Sequence, residues 1–224
     1  MKKLLLILAT MVLTSCATSS GFNRNQLWAS LDESPQVVTD ADIQKALDAK
    51  PQLRPPFRLA VYTELNSWRT HWDAADKAAF ALLAGRLKAA GIVSDVVYLN
   101  PTIVSEHKHD SIRLAAARTG ADAVMIVNGT GAADRYNNAW GASYFLLITP
   151  FFIPGTVVDG IFMMSASMWD VRNDYLYLSA EAEGQVSETG SAFLLDSNTV
   201  INEAKTKAVE ALVKEIENQL NQMQ

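Results

Sequence analysis

Cysteine is nearly missing from this chain: Cys16 is the only one among 224 residues. One thiol closes no internal disulfide and builds no thiolate zinc or iron–sulfur site. A disulfide scaffold, a CxxC redox enzyme and a zinc finger are excluded. Histidine is scarce as well, limited to His71, His107 and His109, and neither a GxSxG elbow nor an HExxH helix occurs. Excess positive charge is lacking too. With 19 Lys and Arg against 24 Asp and Glu the formal net charge is −5, which argues against nucleic acid or an anionic lipid surface as a charge-driven partner. What remains is 49% hydrophobic and 19% charged, the balance of a globular chain with room for one domain and an appendage.

At the N-terminus, Lys2 and Lys3 precede an apolar run from Leu4 to Leu13 that is too short to span a bilayer. The following Leu13-Thr14-Ser15-Cys16 resembles the bacterial lipobox, in which the chain is cut before Cys and the thiol takes a diacylglyceryl group. The resemblance implies a signal peptide over 1–15 and a mature chain that begins at Cys16. The other reading is a plain secretory signal with Cys16 incidental. An acylated Cys16 makes the lipid bilayer a partner, each buried methylene contributing about 0.8 kcal/mol. Ala17 stands where inner-membrane retention favours Asp, so the resemblance points to the periplasmic face of an outer membrane.

Residues 16–24 then read as the lipidated cysteine and a small, polar, flexible tether. Residues 25–56 read as a helical appendage and Pro-rich linker, with short helical patterns at Gln26–Leu31 and Asp40–Ala49. Thr39 is the N-cap of the second, and Pro51, Pro55 and Pro56 close the segment. An α/β domain occupies 57–224. Its first strand sets Phe57, Leu59 and Val61 against Arg58, Ala60 and Tyr62, a half-buried pattern. Asp73 to Ala90 predicts a helix with the stripe Phe80, Leu83, Leu87 and Ala90, and Gly91 as its C′ residue. Strands follow at 92–99 and, apolar on both faces and hence central, at 121–129. Between them Asp110 or Ser111 caps a short helix to Thr119, ended by Gly120. A long strand near 157–171 turns at Arg172-Asn173-Asp174 into a partner near 175–187. That partner points Leu176, Leu178, Ala180, Ala182 and Val186 inward and Tyr175, Tyr177, Ser179, Glu181 and Glu183 outward. A last helix from about 198 to 223 carries Ile201, Ala204, Ala208, Leu212, Ile216 and Leu220 on one side. The order β-α-β-α-β, hairpin, α predicts an α/β (α+β) two-layer sandwich with a mixed sheet.

Three stretches carry a family likeness: LAGRLKAAG, RTGADAVMIVNGTG and SMWDVRNDYLYLSAEAEG. They resemble periplasmic lipoproteins with the curli-secretion-lipoprotein type of α/β domain, related in shape to the N-terminal domain of the Tol-system propeller protein. In that group a helix–Gly–Ala–Asp step feeds a central strand and the hairpin carries an Asp-Val-Arg-Thr-Gly-like turn. Gly120-Ala121-Asp122 and Asp170-Val171-Arg172 match, whereas Asn173-Asp174 replaces the usual Thr-Gly. The Pro154-Gly155 step after an apolar run is most similar to the rhombotarget lipoproteins. The likeness spans about 57–220 and implies a role in envelope assembly, in a secretion pore or in activating a partner protein; a shared fold does not choose among these.

No constellation in the sequence calls for catalysis, a metal or a cofactor. Glu106-His107-Lys108-His109-Asp110 brings two imidazoles together, yet Lys108 and the adjacent helix start read as a solvated loop. Gly129-Thr130-Gly131 lacks the third glycine of a phosphate-cradling loop and reads as turn chemistry. Glu181 and Glu183 read as a solvated strand face. The segment that does demand explanation is 136–158, which holds no charge. Pro150 and Pro154 break it as a membrane helix. One reading buries it, with Phe145, Leu146, Leu147 and Ile148 beneath the sheet. The other exposes it as a contact surface in which Trp140, Tyr144, Phe151 and Phe152 meet an envelope protein or a second copy. The expected function is therefore a lipid-anchored, non-enzymatic envelope lipoprotein acting through protein contacts in envelope assembly or secretion; the alternative is an oligomeric subunit of an outer-membrane secretion pore.

Overall fold

Five stretches rich in β-branched and other apolar residues pair into one mixed sheet in the computed structural model, which describes residues 18–31, 38–65, 70–104, 108–146 and 148–222. The strands are β1 (Phe57–Leu65), β2 (Val93–Tyr98), β3 (Ala123–Asn137), β4 (Thr156–Asp170) and β5 (Leu176–Gly190), in the spatial order β2-β1-β3-β4-β5. β1 runs parallel to β2 and β3, and β4 runs antiparallel to β3 and β5. The helices are α1 (Arg24–Ala29), α2 (Asp40–Asp48), α3 (Ala74–Ala89), α4 (His109–Arg118) and α5 (Ser197–Asn221). The expected mixed-sheet α/β sandwich is the observed one, with β3 at its centre. Residues 1–15, expected as a signal peptide, lie outside the described residues, as do Cys16, Glu106, His107 and Leu147.

Helix boundaries follow from local chemistry. Thr39 and Asp73 each cap a helix through a reciprocal capping box, with Asp42 and Asp76 returning the bond to the cap N–H. Gly91 and Gly120 follow α3 and α4 with φ of +71° and +73°, the left-handed step at which glycine ends a helix without strain. On the front face of the sheet, Phe80, Leu83 and Leu87 of α3 and the whole stripe from Ile201 to Leu220 of α5 bury Leu59, Val61, Met125, Val127, Phe162 and Met164. Ala90 is the exposed C-cap of α3 rather than part of its stripe. Within this layer Lys205 is only 1% exposed. Its Nζ donates to Asp76 at 2.6 Å, Asp73 at 2.7 Å and the His71 carbonyl at 3.0 Å. The Lys205 hydrogen bond, with the helix N-terminal amides, holds Asp73 down at about 2.

Further sequence expectations change, and Leu176, expected to point inward on β5, is exposed. β1 is buried on both sides, because Ile112, Ala115 and Ala116 of α4 cover Ala60, Tyr62, Val124 and Ile126 on the back face. β3 does not turn at Gly129-Thr130-Gly131 but runs through it to Asn137, paired with β4 throughout. The two glycines are there for Phe162: an added Cβ would fall 2.8 Å and 2.5 Å from its ring. α4 begins at least two residues early, with Lys108 as N-cap and no side-chain cap bond, so neither Asp110 nor Ser111 caps it.

The consequence that matters for function is length. β1 and β2 stop beside the first half of β3, whereas β3, β4 and β5 continue together as a long ribbon. The sheet therefore has two unlike ends: one where β3 begins and β4 turns into β5, and one where β3 gives way to the 138–155 excursion and β5 to the 191–196 loop.

Candidate functional site

The second of those ends is apolar on its surface and polar inside. Ala139–Leu146 and Thr149–Phe151 form short 3-10 turns. Tyr144 ties them down: its hydroxyl accepts from Gly155 N–H at 3.0 Å, donates to the Ile153 carbonyl at 3.1 Å and lies 3.1 Å from Thr156 Oγ1. Asn138 donates from Nδ2 to the Pro154 carbonyl and accepts from Trp140 N–H. Thr149 Oγ1 donates to the Ser143 carbonyl, and Ser143 Oγ to that of Trp140. Gly141 and Gly155 meet backbone to backbone, so that a Cβ on Gly155 would lie 2.6 Å from Gly141 N. With these bonds turned inward, the excursion leaves Trp140 68%, Ile148 69% and Phe152 82% exposed, with Phe151 exposed beside them.

The neighbouring loop completes the patch. Phe193 stacks on Phe151 with ring centroids 4.3 Å apart and planes 9° apart, and Leu194 is 81% exposed. Arg135 on β3 fixes this loop by donating to the carbonyls of Ala192 and Leu195. Six large apolar side chains thus share one end of the molecule on two pinned loops.

The N-terminal segment docks next to them. Asp134, on the back face three residues before the end of β3, accepts from Ser19 Oγ at 2.6 Å, Ser20 N–H at 2.8 Å, Gly21 N–H at 3.0 Å and Ser20 Oγ at 3.1 Å. The Ser19 hydroxyl, ahead of the backbone amides, holds this carboxylate below its usual range. Further along, Arg24 makes a bidentate pair with Glu183 of β5 at 2.8 Å, and α1 packs on β3. Residues 18–24, expected as a flexible tether, are hydrogen-bonded to the sheet.

The opposite end is polar. Asp122 accepts from Arg58 N–H at 3.0 Å and pairs with Arg172, and Asp170 accepts from Arg172 N–H at 2.8 Å. The Arg58 amide, followed by Arg172, lowers Asp122 below the ordinary carboxylate range. These are the residues of the family-like Gly-Ala-Asp and Asp-Val-Arg steps, and their work here is to close the β4–β5 turn. Asp174 occupies the left-handed region with φ +64°, the conformation a glycine takes without cost. His109 Nε2 at 2.7 Å and Arg113 at 3.1 Å grip its carboxylate, which explains how Asp replaces the expected glycine. His109 also packs edge-on against Trp169. Beside this turn, α2 overhangs the back face and leaves an open cleft of about 760 Å³, lined among others by Asp42, Lys45, His109, Asn128, Ser167 and Trp169.

The candidate contact residues divide. Trp140, Phe151 and Phe152 are exposed together, whereas Tyr144 is half-buried and turned inward as the hub of the excursion. The buried reading of the segment fails at Ile148, and the side chains of Phe145 and Leu146 lie outside the described residues. Sequence reasoning missed Phe193 and Leu194, although three consecutive apolar residues in a strand-to-helix loop were a signal. Of the two imidazoles considered for a metal, His109 is committed to Asp174, and no group of three or more His, Cys, Asp or Glu that could hold a metal occurs among the described residues.

No family model matches the sequence, and no curated protein does. Solved structures similar to this one include bacterial lipoproteins. The minor lipoprotein of Acinetobacter baumannii is 12% identical, with 73% of this chain and 93% of that one aligned and a TM-score of 0.35. The LpoB C-terminal domain of Salmonella enterica is 13% identical over 74% of this chain and 98% of that one, with a TM-score of 0.32. A homologue of a neuraminyllactose-binding hemagglutinin from Helicobacter pylori is 11% identical over 77% and 90%, with a TM-score of 0.43.

Proposed function

We propose that this chain is a lipid-anchored, non-enzymatic envelope lipoprotein on the periplasmic face of an outer membrane. It works by contact with an envelope protein or a second copy of itself, in envelope assembly or secretion. The observation that carries this reading is the apolar end: large side chains held outward by a hydrogen-bonded frame, beside the docked segment that follows Cys16. A surface of that kind is built for association rather than for solvent. Among its described residues the excursion forms 3-10 turns.

Two substitutions test the reading. Cys16→Ala removes the acyl mass from the chain and weakens its hold on the membrane fraction; an intact mass without acyl chains in the unsubstituted protein sinks the anchor. Cross-linking in intact envelopes then compares the full chain with Phe151→Asp/Phe152→Asp. Loss of cross-linked protein partners with the fold retained supports protein contact through this end; an unchanged set sinks protein contact here and leaves these side chains to another occupant.

A further inference from the structure

The apolar end has a particular neighbour if Cys16 is acylated. Ser19, bound to Asp134, is three residues beyond Cys16, so the Cys16 Cα is tethered within about 11 Å of the Ser19 Cα and the lipidated sulfur lies only one side chain further. From Asp134 to Asn137, where the excursion starts, the strand advances about 10 Å. The polar end lies at the other end of 15-residue strands, roughly 45 Å away. The acyl chains are thereby confined to the apolar end.

We propose that this end is a second, protein-built membrane contact: Trp140, Ile148, Phe151, Phe152, Phe193 and Leu194 enter the headgroup–acyl boundary of the same leaflet that holds the Cys16 lipid. The proposal rests on the acylation of Cys16 and names the lipid surface as what this end touches. Its chemistry fits that medium. Residues 136–158 carry no charge, and the side chains of Asn138, Ser143, Tyr144 and Thr149 bond to the excursion's own backbone, which suits a low-dielectric boundary. Tryptophan and phenylalanine are side chains that settle at this depth. The patch itself offers no row of cations, and Arg135 is spent on the loop carbonyls. Entry is therefore apolar, insensitive to salt and to anionic lipid. The domain is held in one orientation, with the His109–Asp174 turn and the α2 cleft facing away from the bilayer.

The test uses the acylated full chain with Phe152→Cys, whose new thiol is the free one once Cys16 carries lipid. Phe152 is 82% exposed, so the change leaves the fold intact. The thiol is labelled with nitrobenzoxadiazole, the chain is reconstituted into phosphatidylcholine vesicles, and quenching by nitroxide-bearing phosphatidylcholine is read against a Leu176→Cys label at the polar end. The expected result is a blue-shifted label at position 152 that loses most of its emission to the nitroxide, with position 176 aqueous and unquenched. Aqueous emission at both positions overturns the proposal. Concentration-dependent shielding of position 152 in detergent without vesicles also overturns it, and assigns the end to a second copy. The intact mass of the same preparation separates the two layers: an unacylated chain sinks the anchor reading, while an acylated chain with an aqueous label sinks the membrane contact alone.

Discussion

The two ends of one three-stranded ribbon solve the problem of ending a sheet in opposite ways. At the polar end charged groups close the turn: Asp122, Asp174, Arg113 and Arg172 pair with one another and with the Arg58 amide near the surface, and the buried Asp170 accepts from Arg172 N–H. At the apolar end loose backbone groups are satisfied from within, by Tyr144, Asn138 and Arg135, and the surface is left to aromatic and aliphatic side chains. Exposed apolar area is ordinary when scattered. Gathered on two braced loops, it reports what the surface meets.

The contrast can be broken from either side. The largest effect belongs to Gly155→Val, whose side chain must enter the backbone of Gly141. About 2–3 kcal/mol of stability should be lost in chemical denaturation, with the excursion rearranged and membrane contact abolished. Asp122→Ala at the polar end should cost about 1–2 kcal/mol, because the Arg58 amide loses its acceptor and Arg172 its partner; lipid contact should be untouched. A loss of vesicle quenching in this variant would show that the ends are not independent.

Acid should act on both ends with the same sign. Asp122 and Asp134 are held below their ordinary values in the folded chain. Each contributes stability that is present above the unfolded value near 3.9 and disappears as pH falls through the lower folded value. Amide exchange at Ser20 and Gly21 should accelerate in that window as Asp134 takes up its proton; constant protection would mean that Asp134 does not hold the segment. The smallest effect on folding belongs to Phe152→Asp, within about 0.5 kcal/mol as measured by thermal melting, although it should weaken lipid contact about tenfold. A large loss of stability there would mean that Phe152 is core.

Periodic features were legible in the sequence. The α5 stripe from Ile201 to Leu220, the Thr39 and Asp73 helix starts, the glycine after α3 and the central β3 all follow from one-dimensional patterns. What escaped depends on partners distant in sequence. Lys205 occupies an α5 position that reads as solvated until Asp73 and Asp76, about 130 residues away, are brought to it. Gly129 and Gly131 look like a turn unless the Phe162 ring opposite them is known. Ala60 and Tyr62 look half-exposed because their cover, α4, is amphipathic on few residues. At the apolar end the uncharged run announced a surface or a core without deciding between them. The decision came from Tyr144, whose hydroxyl turns inward, and from Phe193, contributed by a loop some forty residues later.

The central claim is that one end of this molecule faces lipid and the other faces away. Amide hydrogen exchange of the acylated full chain, free in detergent and then in phosphatidylcholine vesicles, tests it most directly. Exchange should slow in vesicles at 149–153 and 192–195, with 172–176 unchanged. Slowing at 172–176, or an identical profile in both conditions, would contradict it.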